Sequence, residues 1–283
     1  MLGVVIVAYK NPERTADYVK NQLSRLTDPY VVVVVNNAST FEECQRLAEL
    51  CSGTACKPED EIGPKKVYVV HSVENLGFAK GNNLGVKVLK RNNPCEYLLF
   101  SNDDIILKDP TDLRPMIDLL KDDSSIGAIG PDVVGLDGHH QSPHRRVITA
   151  YRQIGWSLLK TFRRKRLAAP SNGENPAPTE GPCYWVSGAF FLMSYADFEA
   201  VGGFDPDTFL YMEEAILAER LMTLGKHMYY YPGVQVDHLA GGTIKNTFQN
   251  KFIRQMVTES NAIYYRQYLK TPAIVVALYK FLE

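Results

Sequence analysis

Val31-Val32-Val33-Val34-Val35-Asn36-Asn37-Ala38-Ser39 is the stretch on which the fold turns. Five β-branched residues in a row, with no polar alternation, describe a strand with neither face in water, as in the interior of a parallel sheet. The break to two amides and a hydroxyl marks the strand's carboxyl end, the edge where open α/β sheets bind ligands. Runs of the same kind occupy residues 4–8, 67–70 and 97–100. Helices with readable starts alternate with them. Asn11, followed by Pro12 and Glu13, opens one towards Leu26. Thr40 and Glu43 form a capping box ahead of residues 44–50. Residues 80–90 carry Leu84, Val88 and Leu89 at helical spacing, and Asp109-Pro110 opens a further helix through Leu120. Four such alternations predict an α/β fold with a doubly wound, mostly parallel sheet flanked by helices.

The second half is less regular. Residues 137–146 and 168–182 read as polar loops, 194–201 as a short helix before Gly202-Gly203, and 213–224 as a helix ended by Gly225. Residues 229–231 and 234–236 are strand-like, and 248–281 form a helical tail interrupted at Thr271-Pro272.

The 283 residues are 45% hydrophobic and 22% charged, with a net charge of −1, so no overall field recruits nucleic acid. Five cysteines without a CxxC pair read as reduced cytoplasmic thiols. The apolar run after Met1 is too short for a signal segment, and no stretch reaches the roughly 18–20 apolar residues of a membrane span. A soluble or peripheral protein is expected.

Several strand ends carry chemistry. Ser101-Asn102-Asp103-Asp104 places two carboxylates between apolar runs, a costly arrangement unless they are solvated, paired or bound to a hard divalent cation. The competing account is a solvated turn with Asp104 or Asp109 capping a helix. Glu213-Glu214 opens the late helix; the pair suits the helix dipole, and one member can face a cleft as a general base. Periodicity puts them on opposite sides of the Leu217, Leu221 and Leu224 stripe. His238 follows a strand, where a histidine is more often a hydrogen-bonded core residue than a ligand. His139, His140 and His144 lie in a polar loop and read as solvated. Asn75-Leu76-Gly77-Phe78-Ala79-Lys80-Gly81-Asn82-Asn83 lets backbone approach an anion at a helix start, but it is neither a P-loop nor a dinucleotide fingerprint.

In order, these blocks resemble the family 2 glycosyltransferases, in particular bacterial rhamnosyltransferase-like members, over residues 4–243. The carriers are Ala8-Tyr9-Lys10-Asn11, Asn36-Asn37-Ala38-Ser39, residues 75–83, Ser101-Asn102-Asp103-Asp104, Trp185-Val186-Ser187-Gly188-Ala189, residues 201–205 leading into 209–220, and His238 with Gly241-Gly242-Thr243. The resemblance implies a GT-A fold over residues 1–245, with a nucleotide-binding half (1–105), an acceptor half (106–245) and a helical extension (246–283). It implies a UDP- or dTDP-type sugar donor, Mn2+ or Mg2+ held by Asp104 and His238, and inversion at the anomeric carbon. Glu214, with Glu213 beside it, falls on the general base. Ala8, Tyr9, Asn11, Asn36, Asn37, Asn75, Gly77, Lys80, Asn82, Asn102, Asp103, Gly188 and Ala189 fall on the donor site. Asn36, Lys10, Glu214 and Ile216 depart from the family's usual residues, which affects base recognition and placement of the general base. The acceptor implied is a glycan or lipid-linked glycan. The basic residues of 160–166 and the aromatic tail suit peripheral contact with an anionic membrane, the competing account being a solvated loop and a tail packed on the core or on a partner chain.

Two rivals share features. A sugar-phosphate nucleotidyltransferase would need a glycine-rich segment after the first strand, which Ala8-Tyr9-Lys10-Asn11 is not. A silent nucleotide-sugar-binding protein is suggested by Asn36, Asn102 and Ile216 and opposed by Asp104, Glu214 and His238.

Overall fold

The structure is a computed structural model that describes residues 1–61, 63–92, 94–162, 178–239 and 250–283. Its centre is β1 (Leu2–Ala8), parallel to β2 (Tyr30–Asn36) on one side and to β5 (Tyr97–Ser101) on the other. Beyond β2 lie β4 (Val67–His71) and β3 (Thr54–Cys56), both parallel. The strands leaving β1 in opposite directions create a switch point, and a crevice opens between the carboxyl ends of β1 and β5. Val31 to Val35 are all buried. Val32 and Val34 face the core closed by α1 (Pro12–Asp17), α2 (Phe41–Leu50) and α4 (Arg114–Asp122). Val31, Val33 and Val35 face the core closed by α3 (Gly77–Asn92), α6 (Tyr195–Ala200) and α7 (Glu213–Thr223). One unbroken apolar run thus feeds two layers, each buried valine contributing about 1.5–3 kcal/mol.

Past β5 the sheet becomes mixed. β9 (Phe190–Ser194) runs antiparallel to β5, with Phe190 opposite Ser101. β7 (Ile126–Gly135) is antiparallel to β9 and parallel to β10 (His227–His238). β6 (Ile105–Leu107) and β8 (Gly181–Cys183) pair antiparallel with β10, Ile105 facing His238. β10 therefore points the same way as β5, and His238 ends at the crevice.

Several expectations need correction. The helix expected from Asn11 to Leu26 is α1 followed by a π turn (Tyr18–Gln22) and a 3-10 turn (Leu23–Arg25). α4 starts at Arg114 rather than at Asp109-Pro110, because Thr111 is held by backbone bonds with Arg25 and Thr27. Residues 229–231 and 234–236 belong to one strand, with an irregular register between Tyr231 and Gln235. β6 to β9 and α5 (Ala150–Phe162) had no clear pattern; β7 carries Gly127, Gly130 and Pro131 within its run. The tail folds as α8 (Asn250–Ile263), a π turn (Tyr264–Tyr268) and α9 (Ala273–Leu282). Ala262, Tyr264, Tyr265, Val276 and Tyr279 form a third core with Ala150 of α5 and Ala215 and Ile216 of α7. Gly241-Gly242-Thr243 and most of the loop at 168–182 lie outside the described residues, as do residues 163–166 of the basic run. No helix among the described residues is long and apolar enough to cross a membrane.

Candidate active site

The crevice is a cleft of about 190 Å³, lined by Tyr9 and Arg14 beyond β1, Asn37, Asn75 and Gly77, Asn102 to Asp104, Phe209, and His238. Asp104 Oδ1 lies 3.1 Å from His238 Nε2, although the two are 134 residues apart. The other ring nitrogen, Nδ1, lies 2.7 Å from Gln141 Oε1. With an amide oxygen accepting there, Nδ1 carries a ring proton and Nε2 faces the carboxylate. A proton on Nε2, or a cation between the two groups, makes that approach favourable. Burial is the largest influence on Asp104 and raises its pKa, but the His238 hydrogen bond and charge, with Arg14, outweigh it and hold the carboxyl below its usual value. Among the described residues no three His, Cys, Asp or Glu side chains gather into a group that could hold a metal ion by itself; the pair brings one carboxylate and one imidazole together.

Asp103 does different work. Arg14 donates to its Oδ1 at 2.7 and 3.1 Å, and Thr15 Oγ1 donates to its Oδ2 at 2.6 Å. Burial raises its pKa and these partners pull it back. Although it lines the cleft, its oxygens are committed to tying α1 to the end of β5.

Asn37 spans from β2 to the start of α3: its Nδ2 donates to Gly77 O at 3.3 Å and its Oδ1 accepts from Leu76 N at 3.4 Å. Asn75 Oδ1 accepts from Gly77 N at 3.1 Å. Gly77 has φ 68°, and a Cβ there would stand 2.1 Å from Phe209 O, the carbonyl to which Phe78 N donates. Only glycine allows this junction, which brings Phe209 to the cleft.

Tyr9, Asn37, Asn75, Gly77, Asn102 and Asp103 of the expected donor residues line the cleft; the others do not. Ala8 is buried, its carbonyl accepting from Asn37 N. Asn11 caps α1. Asn36 is buried and takes Ser72 N and Ser39 Oγ on its carbonyl. The Asn82 amide is used inside α3, on Phe78 O. Lys80 lines a neighbouring groove with His71 and Glu74. Ala189 accepts from Asn102 N at 2.9 Å, which continues the β5–β9 ladder one residue beyond Ser101 and sets Gly188 beside the aspartates' strand end.

Gly188 is where Glu214 sits. A Cβ on it would fall 1.9 Å from Glu214 Oε1, and the Gly188 N–H donates to that carboxylate. Burial raises the Glu214 pKa, opposed by its own N–H and that of Gly188. Glu213 turns inward: it is 2% exposed, and its Oε1 has no hydrogen-bond partner. Burial, then the charge of Glu214, raise its pKa well above the usual value. Tyr211 and Met212, just before them, have φ of 76° and 72°. Two consecutive non-glycine residues in the left-handed region are strained, and such strain concentrates where a side chain must be aimed. From below, Arg220 of α7 donates to Gly203 O at 2.9 Å and to Tyr268 Oη at 2.7 Å and pairs with Asp205 at 3.2 Å, while Tyr268 donates to Asp205.

Gln141, Arg14 and Thr15 escaped the sequence reading, and Asn83 was quoted in its block without a role. Asn83 exchanges two 2.9 Å bonds with the backbone of Phe204, fastening α3 to the turn before α7. Gln141 lies in the loop expected to be solvated, which instead packs: His140 bonds Asp132 at 2.7 Å and His144 stacks on Trp185 at 3.6 Å, leaving only His139 of the three histidines exposed. The pattern His-His-Gln-Ser-Pro-His carries no sign of which side chain turns inward.

The sequence profile of Glycosyl transferase family 2 matches residues 3–179, more than half of the chain. The chain belongs to this family: it is a family 2 glycosyltransferase. It is 33% identical over 127 residues to an N-acetylglucosaminyl-diphospho-decaprenol L-rhamnosyltransferase of Mycobacterium tuberculosis, an alignment covering 43% of this chain and only 41% of that relative. It is 25% identical over 264 residues to the rhamnosyltransferase WbbL of Escherichia coli K12, covering 89% and 88% of the two. The mannosyltransferase PcManGT of Pyrobaculum calidifontis, solved with GDP-Man and Mn2+, superposes with a TM-score of 0.56 at 14% identity, covering 99% of this chain and 69% of that one, and so shares the GT-A fold. Within this glycosyltransferase, His238 and the α7 glutamates lie beyond the matched segment, and the sheet returns them to it.

Proposed function

We propose that this glycosyltransferase moves a hexosyl unit from a UDP- or dTDP-type donor to a hydroxyl of a glycan or lipid-linked glycan, by a single inverting displacement that depends on Mn2+ or Mg2+. The observation that carries the reading is the approach of Asp104 to His238 across one cleft, with Glu214 seated on the neighbouring strand end. The names of the mycobacterial and Escherichia coli relatives support a deoxyhexose donor and a lipid-linked acceptor, and the Mn2+ in the Pyrobaculum mannosyltransferase supports the metal.

In this mechanism Asp104 and His238 would hold the ion, and Gln141 keeps the imidazole in the tautomer that offers Nε2. A divalent ion bound there supplies positive charge to the departing diphosphate. Tyr9, Asn37 and Asn102 orient the nucleotide. Glu214, its carboxyl made more basic by burial, accepts the proton of the acceptor hydroxyl as that oxygen attacks. One base and one displacement invert the anomeric centre. Glu213 is sealed off and keeps a second carboxylate out of the cleft. The enzyme would act in the cytoplasm, peripheral to the membrane that carries its acceptor.

A panel of nucleoside-diphosphate sugars read by thermal shift tests this without an acceptor. A manganese-dependent rise in melting temperature is expected for a UDP- or dTDP-sugar, and no such rise with any donor would overturn the reading. Glu214→Gln should keep that rise and lose transfer.

A further inference from the structure

Residues 139–141 run antiparallel beside the end of β7: His140 bridges Val134, and Gln141 N donates to Val133 O at 2.8 Å. Consecutive side chains of this loop then reach the two ends of the site. Gln141 accepts from His238 Nδ1, opposite Asp104. Ser142, 2% exposed, accepts on its Oγ from Ser187 N at 3.1 Å. Ser187 is joined directly to Gly188, the glycine whose N–H donates to the Glu214 carboxylate. One peptide unit of the loop therefore lies between the contact that orients the imidazole and the contact that holds the seat of the glutamate. We propose that Ser142 is a positioning residue for Glu214: by fixing Ser187 it aims the Gly188 N–H on which that carboxylate rests.

The turn needs a hold at this point. Upstream, His144 and Trp185 exchange backbone bonds of 2.9 and 3.1 Å, and their rings stack at 3.6 Å. Downstream, Ala189 O accepts from Asn102 N at 2.9 Å and the β5–β9 ladder begins. Between these anchors the turn's own bonds are long. Ser187 Oγ accepts from Ala189 N at 3.4 Å and Ser187 O from Phe190 N at 3.4 Å, beyond the roughly 2.7–3.2 Å of a good N–H···O bond. The 3.1 Å bond to buried Ser142 is shorter than either. Gly188 leaves no slack, since a Cβ there would stand 1.9 Å from Glu214 Oε1, so a shift of the turn is passed to the carboxylate. With alanine at 142 the Ser187 N–H loses its acceptor; a buried donor left without one is costly, and the turn shifts to find another. A misplacement of about 1 Å in an active site can cost on the order of a hundredfold in rate. The inference rests on the proposed role of Glu214 as the general base.

Ser142→Ala and Ser142→Thr, made in the whole chain, test it by two readouts. Amide hydrogen exchange reads the contact alone. Residues 186–190 should exchange faster in Ser142→Ala and at the parent's rate in Ser142→Thr, which keeps the hydroxyl. Manganese-dependent hydrolysis of the UDP- or dTDP-sugar that binds reads the base, with water as the acceptor. Hydrolysis should fall about tenfold in Ser142→Ala and recover in Ser142→Thr. The donor's manganese-dependent rise in melting temperature should stay unchanged in both, because Gln141 still holds the metal end. Unchanged exchange, unchanged hydrolysis, a threonine variant no better than alanine, or a loss of hydrolysis matched by loss of donor binding would overturn the proposal. Glu214→Gln separates that failure from failure of the proposed function. If it hydrolyses donor at the parent's rate, the base itself is misassigned; if it does not, and Ser142→Ala is undiminished, only the role of Ser142 falls.

Discussion

Asp104, which lines the cleft, and Glu214, which is seated against Gly188, are held in opposite ways. Asp104 stands where β5, buried among apolar strands, ends; Arg14 and Thr15 clamp its neighbour, and a hydrogen-bonded histidine meets it. Glu214 stands two residues after a pair of strained left-handed residues, and its seat is a glycine with no side chain to spare. The first station is rigid because regular structure surrounds it. The second is placed by shape, so small steric changes there should cost activity while leaving stability nearly intact.

The comparison can be broken most severely at the rigid station. Asp104→Ala removes the one carboxylate facing His238, and manganese-dependent donor binding should vanish, with transfer down roughly a thousandfold or more; calorimetry with manganese and nucleoside diphosphate reads it. Gly188→Ala attacks the other station: the new methyl must push the flexible Glu214 carboxylate aside. Transfer should fall by about a hundredfold with donor binding and melting temperature little changed, a split visible by comparing kcat with donor affinity. Gln141→Leu removes only the partner of His238 Nδ1 and should weaken manganese binding by about 10–100-fold, with Gln141→Glu restoring it.

The smallest effect is on stability. Burial and Glu214 raise the Glu213 pKa above its usual 4.5, so the folded state holds a proton that the unfolded chain releases. Stability linked to this group is whole below about pH 4.5 and is lost as pH rises through the folded value. Glu213→Gln cannot ionise, so its melting temperature should exceed the parent's at neutral and alkaline pH and converge with it in acid. A melting series across pH checks the sign.

How much of this was legible follows the same division. The parallel strands up to β5 were plain because residues such as Val31 to Val35 must be buried on both faces, and the Thr40–Glu43 capping box stands as expected. β7 was hidden because Gly127, Gly130 and Pro131 erase the apolar signature; Gly127 and Gly130 are pressed against Leu221 and Val186, so packing chose them over propensity. At the site, residue type alone left Asp104, Glu214 and His238 open, and it was the order of the blocks, through their resemblance to family 2 glycosyltransferases, that singled them out. No local pattern says that Asp103 will be taken by Arg14, that Asn82 will serve its own helix, or that Gln141 rather than a neighbouring histidine will turn towards His238. The Asp103 and Gln141 outcomes are decided by contacts between residues 89 and 97 positions apart, and the Asn82 one by a carbonyl four residues back that competes with every other partner of the amide.

The grip of Tyr268 on Arg220 and Asp205 has a practical consequence. A catalytic fragment cut after residue 245 would keep every cleft residue yet lose the brace under α7, together with the aromatic roof over Ala215 and Ile216. The tail behaves as a keystone: once it is removed, the arch still contains all its stones, but the glutamate's helix keeps only the support of the second core and of the Arg220 contacts with Gly203 and Asp205.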